Sequence, residues 1–208
     1  AWLLWPEGGT PSVPGTPERP PTLIDPATAG TVRGRVLYAG TPPEARWIEM
    51  GGTPECRALH AEKVPDEALL VKDGRLRNAV VYVKTGLVGM AFDTPKDPVV
   101  VDQKGCLFLP RVAAARTGQQ VHFLNSDPTK HNVHAESKAS KGFNRSLSRK
   151  GTKAEVVLSG PELGIQVTCD IHPWMVGYLS IFDHPFFVVT GEDGAFEFKG
   201  LPPGEYEI

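Results

Sequence analysis

The chain has 208 residues, a formal net charge of −2 and a hydrophobic content of 40%. That balance excludes a basic nucleic-acid binder and an acidic disordered tail, and it allows one large or two small domains. No run approaches the ~20 consecutive apolar residues of a membrane span, while the 20 Pro, 22 Gly and many short Val-rich runs predict an all-β chain.

The sequence opens on Ala1-Trp2-Leu3-Leu4-Trp5, an apolar, aromatic stretch that suits a signal-peptide remnant, the outer end of a membrane anchor, or an arbitrary edge of chain. Residues 6–29 repeat Pro at 6, 11, 14, 17, 20, 21 and 26. Such a stretch has too little apolar surface to fold and reads as an extended, semi-rigid linker. Alternation over residues 30–38 predicts a strand, ended by Ala39-Gly40-Thr41-Pro42-Pro43. Residues 51–77 are polar and irregular, with a short helix expected near Asp66–Leu70, and they carry Cys56 and an exposed His60. Residues 78–84 predict another strand.

Further on, Val121-His122-Phe123-Leu124-Asn125 reads as a strand and Ser126-Asp127-Pro128 as a turn. In the extended segment that follows, His131 and Val133 share one face, and Asn132 and His134 the other. Residues 137–154 hold Lys138, Lys141, Arg145, Arg149, Lys150 and Lys153 and no acidic residue. The stretch reads as a solvated loop, or more sharply as a docking patch for an acidic redox partner or an anionic membrane, with Phe143 and Leu147 as contact anchors. Ile165, Val167 and Cys169 alternate with Gln166 and Thr168, so a strand delivers Cys169 to an inner face. Residues 178–182, 186–190 and 195–198 predict further strands, with Asp193-Gly194 as a hairpin turn and residues 205–208 following it. His122 falls on the face opposite Val121 and Phe123 and reads as a surface residue; His184 has no assignment.

The chemistry gathers in Cys169-Asp170-Ile171-His172-Pro173-Trp174-Met175 together with His131. A Cys, a His and a Met close in sequence are often ordinary core. One thiolate, two imidazoles and a thioether are also the donor set of a mononuclear electron-transfer copper site, in which soft sulfur suits Cu(I) and imidazole suits Cu(II). If Cys169 is given to a metal, Cys56 and Cys106 remain; they can pair as a disulfide, as expected outside the cytoplasm, or stay as two buried thiols.

The pairing of VHFLNSDPTKHNVHA with VTCDIHPWMVGYLSIFD resembles the cupredoxins, the type 1 blue copper proteins of the amicyanin and plastocyanin type, over residues 98–183. The resemblance implies a Greek-key β-sandwich with one type 1 copper held by His131, Cys169, His172 and Met175. It makes Asn132 the residue that ties the two ligand loops together, and the Pro173–Trp174 patch around His172 the electron port. Cupredoxins usually carry Ser or Thr after the Cys; here Asp170 stands there, able to accept a hydrogen bond from Asn132 and, if ionised, to lower the reduction potential. The opening GTVRGRVLYAG, the strand NAVVYV and the closing DGAFEFKGLPPGEY are similar to the carboxypeptidase regulatory-like family, a small transthyretin-like β-sandwich. Together these imply a cupredoxin at 98–183 inserted in or fused to a smaller sandwich built from residues 30–97 and 184–208, behind an N-terminal linker or anchor remnant at 1–29; the alternative is one enlarged cupredoxin with extra flanking strands.

The function implied is single-electron transfer between redox partners outside the cytoplasm, a cytochrome c, a dehydrogenase or a membrane redox complex. Catalysis is not implied, because copper enzymes that resemble cupredoxins need further His-rich copper sites, and the chain lacks their adjacent His-Cys-His pattern. Copper binding and delivery through the same ligands is the alternative, followed by a structural β-sandwich with a vestigial metal loop. No nucleic acid is implied; a membrane tether through the N-terminus is one reading of the opening residues.

Overall fold

Alternation of apolar and polar side chains builds the two sheets that carry the site. The computed structural model describes residues 20–50 and 52–208, so the aromatic N-terminal end and the Pro-rich stretch up to residue 19 lie outside the described residues. The chain is all-β; the one helix among the described residues is the single turn Pro54–Arg57. A four-stranded sheet runs Lys153–Val157, Gln120–Asn125, Val99–Gln103, Phe108–Leu109, and a five-stranded sheet runs Phe143–Leu147, His131–Ala135, Glu162–Thr168, Val176–Phe182, Val112–Arg116. Each contains one parallel pairing, Val99–Gln103 with Gln120–Asn125 and Val112–Arg116 with Val176–Phe182. The inner faces meet in one core through Val101, Val121, Phe123, Val133, Ile165, Val167, Leu179 and Ile181. This is the two-layer solution for sheets that each have one apolar face.

A second, smaller core gathers Val83, Phe186, Phe198 and Leu201, with Ile24, Val32, Val81 and Tyr206 packed against them. Its ladders pair Gly30–Arg35 with Ala195–Leu201, and Val80–Tyr82 with Phe187–Val189. The Asp193-Gly194 turn is therefore not a hairpin: the strands before and after it belong to different ladders. Local turn chemistry gives way here to the burial of Phe186 and Phe198 in one core. The last residues pair through the Thr85–Glu207 bridge, the Lys84 amide, which donates to the Glu207 carbonyl at 2.7 Å, and the Lys84 ammonium, 2.7 Å from the Glu207 carboxylate.

Other segments also depart from the sequence reading. The helix falls at Pro54–Arg57, while the chain at Asp66 turns, its carboxylate accepting from the Ala68 amide at 3.1 Å and from Arg111 at 2.9 Å. An Asp bonded this way favours a turn over a helix interior. His60 is half-buried and its Nε2 contacts the Gly105 carbonyl oxygen at 2.7 Å, so it is not a free surface group. The basic stretch is ordered in strand Phe143–Leu147, and Phe143 and Leu147 point into the core, so neither serves as a contact anchor. At the N-terminal side, Thr22 exchanges two hydrogen bonds with Ala91 and Ile24 packs on the second core, so that part of the Pro-rich stretch is docked.

Cys56 and Cys106 form a disulfide, both fully buried. With Ile48, Met50 and Val64 the bridge belongs to the first core, so the irregular segment between the first strands packs on the sandwich that holds the Cys-His loop.

Candidate metal centre

Strand His131–Ala135 points His131 and Val133 inward, and strand Glu162–Thr168 ends one residue before Cys169. The loop then folds back on itself: the Met175 amide donates to the His172 carbonyl at 2.9 Å and the Cys169 amide to the Met175 carbonyl at 3.3 Å. These bonds bring Cys169, His172 and Met175 to one end of the sandwich, beside His131. All four are buried, His131 at 0% exposure and Cys169, His172 and Met175 at 2%, 1% and 1%.

The two imidazoles present the same atom to a common point. Their Nδ1 atoms lie 3.0 Å apart, and Cys169 Sγ is 3.7 Å from His172 Nδ1. An ion about 2.0 Å from each nitrogen and about 2.3 Å from a thiolate separates its donors by comparable distances. The donor set and its spacing fit one copper ion, and Met175, buried in the same cluster, could supply a soft thioether donor to it.

Around these donors lies a shell of hydrogen bonds. Asp127, itself buried, holds His131 Nε2 at 3.0 Å through Oδ2, while its two oxygens accept the Gly105 and Cys106 amides at 2.7 Å each. Burial opposes the charge on the Asp127 carboxyl, but the His131 contact and the two amides outweigh it and hold its pKa below the usual value. Burial likewise opposes a proton on His131, and the bonds to Asp127 and Cys169 raise it nonetheless. Cys169 is lowered against its own burial by His131 and by backbone amides, which favours the thiolate that a metal needs. Burial lowers His172, and the neighbouring His131 adds to the effect.

Asn132 joins the two ligand segments. Its Oδ1 accepts the Asp170 amide at 2.8 Å and lies 3.3 Å from Cys169 Sγ; its Nδ2 donates to Asp170 Oδ2 and Asn144 Oδ1, both at 2.8 Å. Asp170 also meets His134 Nδ1 at 2.8 Å, the chief cause of its lowered pKa. His134 thus points away from His131, on the outer face. His122 also lies on an outer face, 2.9 Å from Gln120 Oε1. The six basic residues are exposed along and beyond the edge strand Phe143–Leu147. Pro173 is exposed, but the His172 ring is covered: Trp174 packs 5.2 Å from it, and the Cys56–Cys106 sulfurs lie within 4.8 Å of one of its ring nitrogens.

Sequence reasoning missed three participants. Asp127 reads as a turn residue, although a carboxylate four positions before a candidate ligand His was a legible signal. Asn144 and Gln103, whose Nε2 donates to the Asn132 carbonyl at 3.1 Å, come from distant strands and carry no local signal.

No family model matches the sequence, and no curated protein matches it. Among solved structures the chain is similar to a copper-containing nitrite reductase from Thermus scotoductus SA-01, at 21% identity over 49% of this chain and 26% of that one, with a TM-score of 0.40. It is also similar to a Cu(I) form of an amicyanin mutant, at 17% identity over 43% of this chain and 87% of that one (TM-score 0.38), and to a purple cupredoxin from Nitrosopumilus maritimus, at 21% over 40% and 99% (TM-score 0.35). The chain thus spans about a quarter of the reductase's length. The cupredoxin-like fold rests on the two sheets and their pairing given above.

Proposed function

We propose that the protein carries single electrons through a mononuclear type 1 copper centre held by His131, Cys169, His172 and Met175, outside the cytoplasm and without chemistry on a substrate. The observation that carries this reading is the buried convergence of two Nδ1 atoms 3.0 Å apart with the Cys169 sulfur beside them. A bound copper ion supplies the Cu(I)/Cu(II) couple. The chain's own contribution is to fix the donors from both sides: Asp127 sets the orientation and tautomer of His131, and Asn132 locks the Cys169 loop to the strand bearing His131. Donors held this way change little between oxidation states, which keeps electron exchange fast. Burial of His131, Cys169 and His172 supports a carrier rather than a metal that meets a substrate.

The disulfide supports an oxidising compartment. Among the described residues no helix is long and apolar enough to cross a membrane. The second core draws on residues 24–92 and 186–206, which supports a small regulatory-like sandwich at 30–97 and 184–208 with residues 98–183 inserted in it. The partners of such a carrier are protein redox centres. Protein-film voltammetry of the copper-loaded chain tests the function: one copper per chain and a fast, reversible one-electron couple are expected. A slow or irreversible response with tight copper binding would favour copper delivery through the same ligands.

A further inference from the structure

We infer that electrons enter and leave on the Cys169 side, across an outer face at Asp170 and Asn144, where an acidic protein partner docks; this deepens the copper reading and rests on it. Two observations point there. His172 is 1% exposed, closed off by Trp174 and by the disulfide-tethered segment, whose Cys106 carbonyl accepts the Trp174 indole N–H at 3.1 Å. The imidazole edge that the sequence makes the port therefore does not reach the surface.

Cys169 has a short way out. One peptide bond joins it to Asp170, which is exposed. Two contacts lead from its sulfur to an exposed strand: Sγ to Asn132 Oδ1 at 3.3 Å, then Asn132 Nδ2 to Asn144 Oδ1 at 2.8 Å. Asn144 lies in the edge strand of the five-stranded sheet, next to Arg145. Lys138 and Lys141 precede that strand, and Arg149, Lys150 and Lys153 follow it, all exposed. Lys153 meets Glu155 at 2.6 Å and the Lys138 amide donates to Glu162 at 2.9 Å. The six cations outnumber the exposed Asp170, whose carboxylate is held by His134 at 2.8 Å, and a predominance of one sign speeds encounter with a surface of the opposite sign. The occupant is a protein face rather than a lipid surface, because Phe143 and Leu147 are buried and the strand presents Asn144, Arg145 and Ser146, none of which inserts into a bilayer.

Two probes test this on the copper-loaded protein. Hexacyanochromate(III), a redox-inert paramagnetic anion, should broaden the amide signals of Asn144, Arg145 and Ser146 in the Cu(I) form and leave Trp174 and Leu109 sharp. Oxidation of the Cu(I) form by hexacyanoferrate(III) should slow about tenfold in Lys141→Glu/Arg145→Glu/Arg149→Glu and lose its decrease with salt, while Leu109→Glu, at an exposed residue lining the same cavity as Trp174, stays within about twofold of the parent. Broadening at Leu109 and Trp174, with Leu109→Glu slowing the reaction and the triple variant indifferent, would overturn the docking face and return the port to His172. Sedimentation with phosphatidylserine vesicles, lost in the triple variant, would overturn the protein partner in favour of a membrane. If every variant keeps an intense thiolate-to-copper band, these failures leave the copper reading standing; absence of that band in the parent overturns both.

Discussion

At the scale of single residues, Asp127 is the group on which the proposed metal site most depends after its proposed ligands. Its carboxylate faces His131 Nε2 and takes two backbone amides. Asp127→Asn keeps the shape but removes the charge that makes His131 a stronger donor. Copper affinity should fall by roughly tenfold or more, and the reduction potential should rise, because an anion near the site favours Cu(II); a copper titration and spectroelectrochemistry read the two effects. An unchanged potential would assign Asp127 to loop packing alone. The proposed ligands stood out because their residue types are rare and chemically specific. Asp127 left only its spacing, four positions before a candidate ligand His, because an Asp beside a Pro satisfies the demands of a turn and masks its second role.

Between strands, His184 and Gly86 show what holds the smaller core together. His184 sits at the turn after Val176–Phe182, mostly buried, with its Nδ1 accepting the Phe186 amide at 3.2 Å. Burial lowers its pKa, with nearby Arg116 adding to the effect and Asp183 opposing it. The unfolded chain therefore binds this proton more tightly than the fold does. The stability His184 allows is complete above the free imidazole value of about 6.5 and falls as pH drops through that value towards the lowered one. The melting temperature should fall more between pH 7 and pH 5 in the parent than in His184→Phe; equal slopes would contradict the assignment. Gly86 has φ +106°, and a Cβ there would collide with the Glu205 carbonyl oxygen. Gly86→Ala should destabilise the protein by ~1–3 kcal/mol and loosen the C-terminal segment, seen as faster amide exchange at Lys84. The sequence revealed most of these strands through their alternation. It did not reveal that the Asp193-Gly194 turn joins two ladders, since two-residue turn chemistry is the same whether the strands pair with each other or with third parties.

Across the whole molecule, one covalent link ties the irregular segment to the sandwich. The Cys56–Cys106 bridge spans a sequence separation of 50 and sits against the covered side of His172. Closing a loop of that length stabilises by about 4 kcal/mol in the chain-entropy account. Cys56→Ser/Cys106→Ser should lose up to that amount in a denaturant melt and make His172 more open to exogenous ligands such as azide. A variant as stable and as closed as the parent would contradict the bridge's role as a tether. The pairing could be proposed from the sequence by cysteine count. That the tethered segment would cover His172 could not, because residues 48–64 carry no periodic pattern and their place depends on burying Met50 and Cys56 in a distant core.

His131, Cys169 and His172 are proposed to bind copper as a type 1 centre. Visible absorption and EPR of the oxidised, copper-loaded protein beside Cys169→Ser test it most directly. The parent should show an intense thiolate-to-copper band and narrow copper hyperfine splitting, both lost in the variant. A weak band with broad splitting, or a spectrum that survives the loss of Cys169, would contradict it.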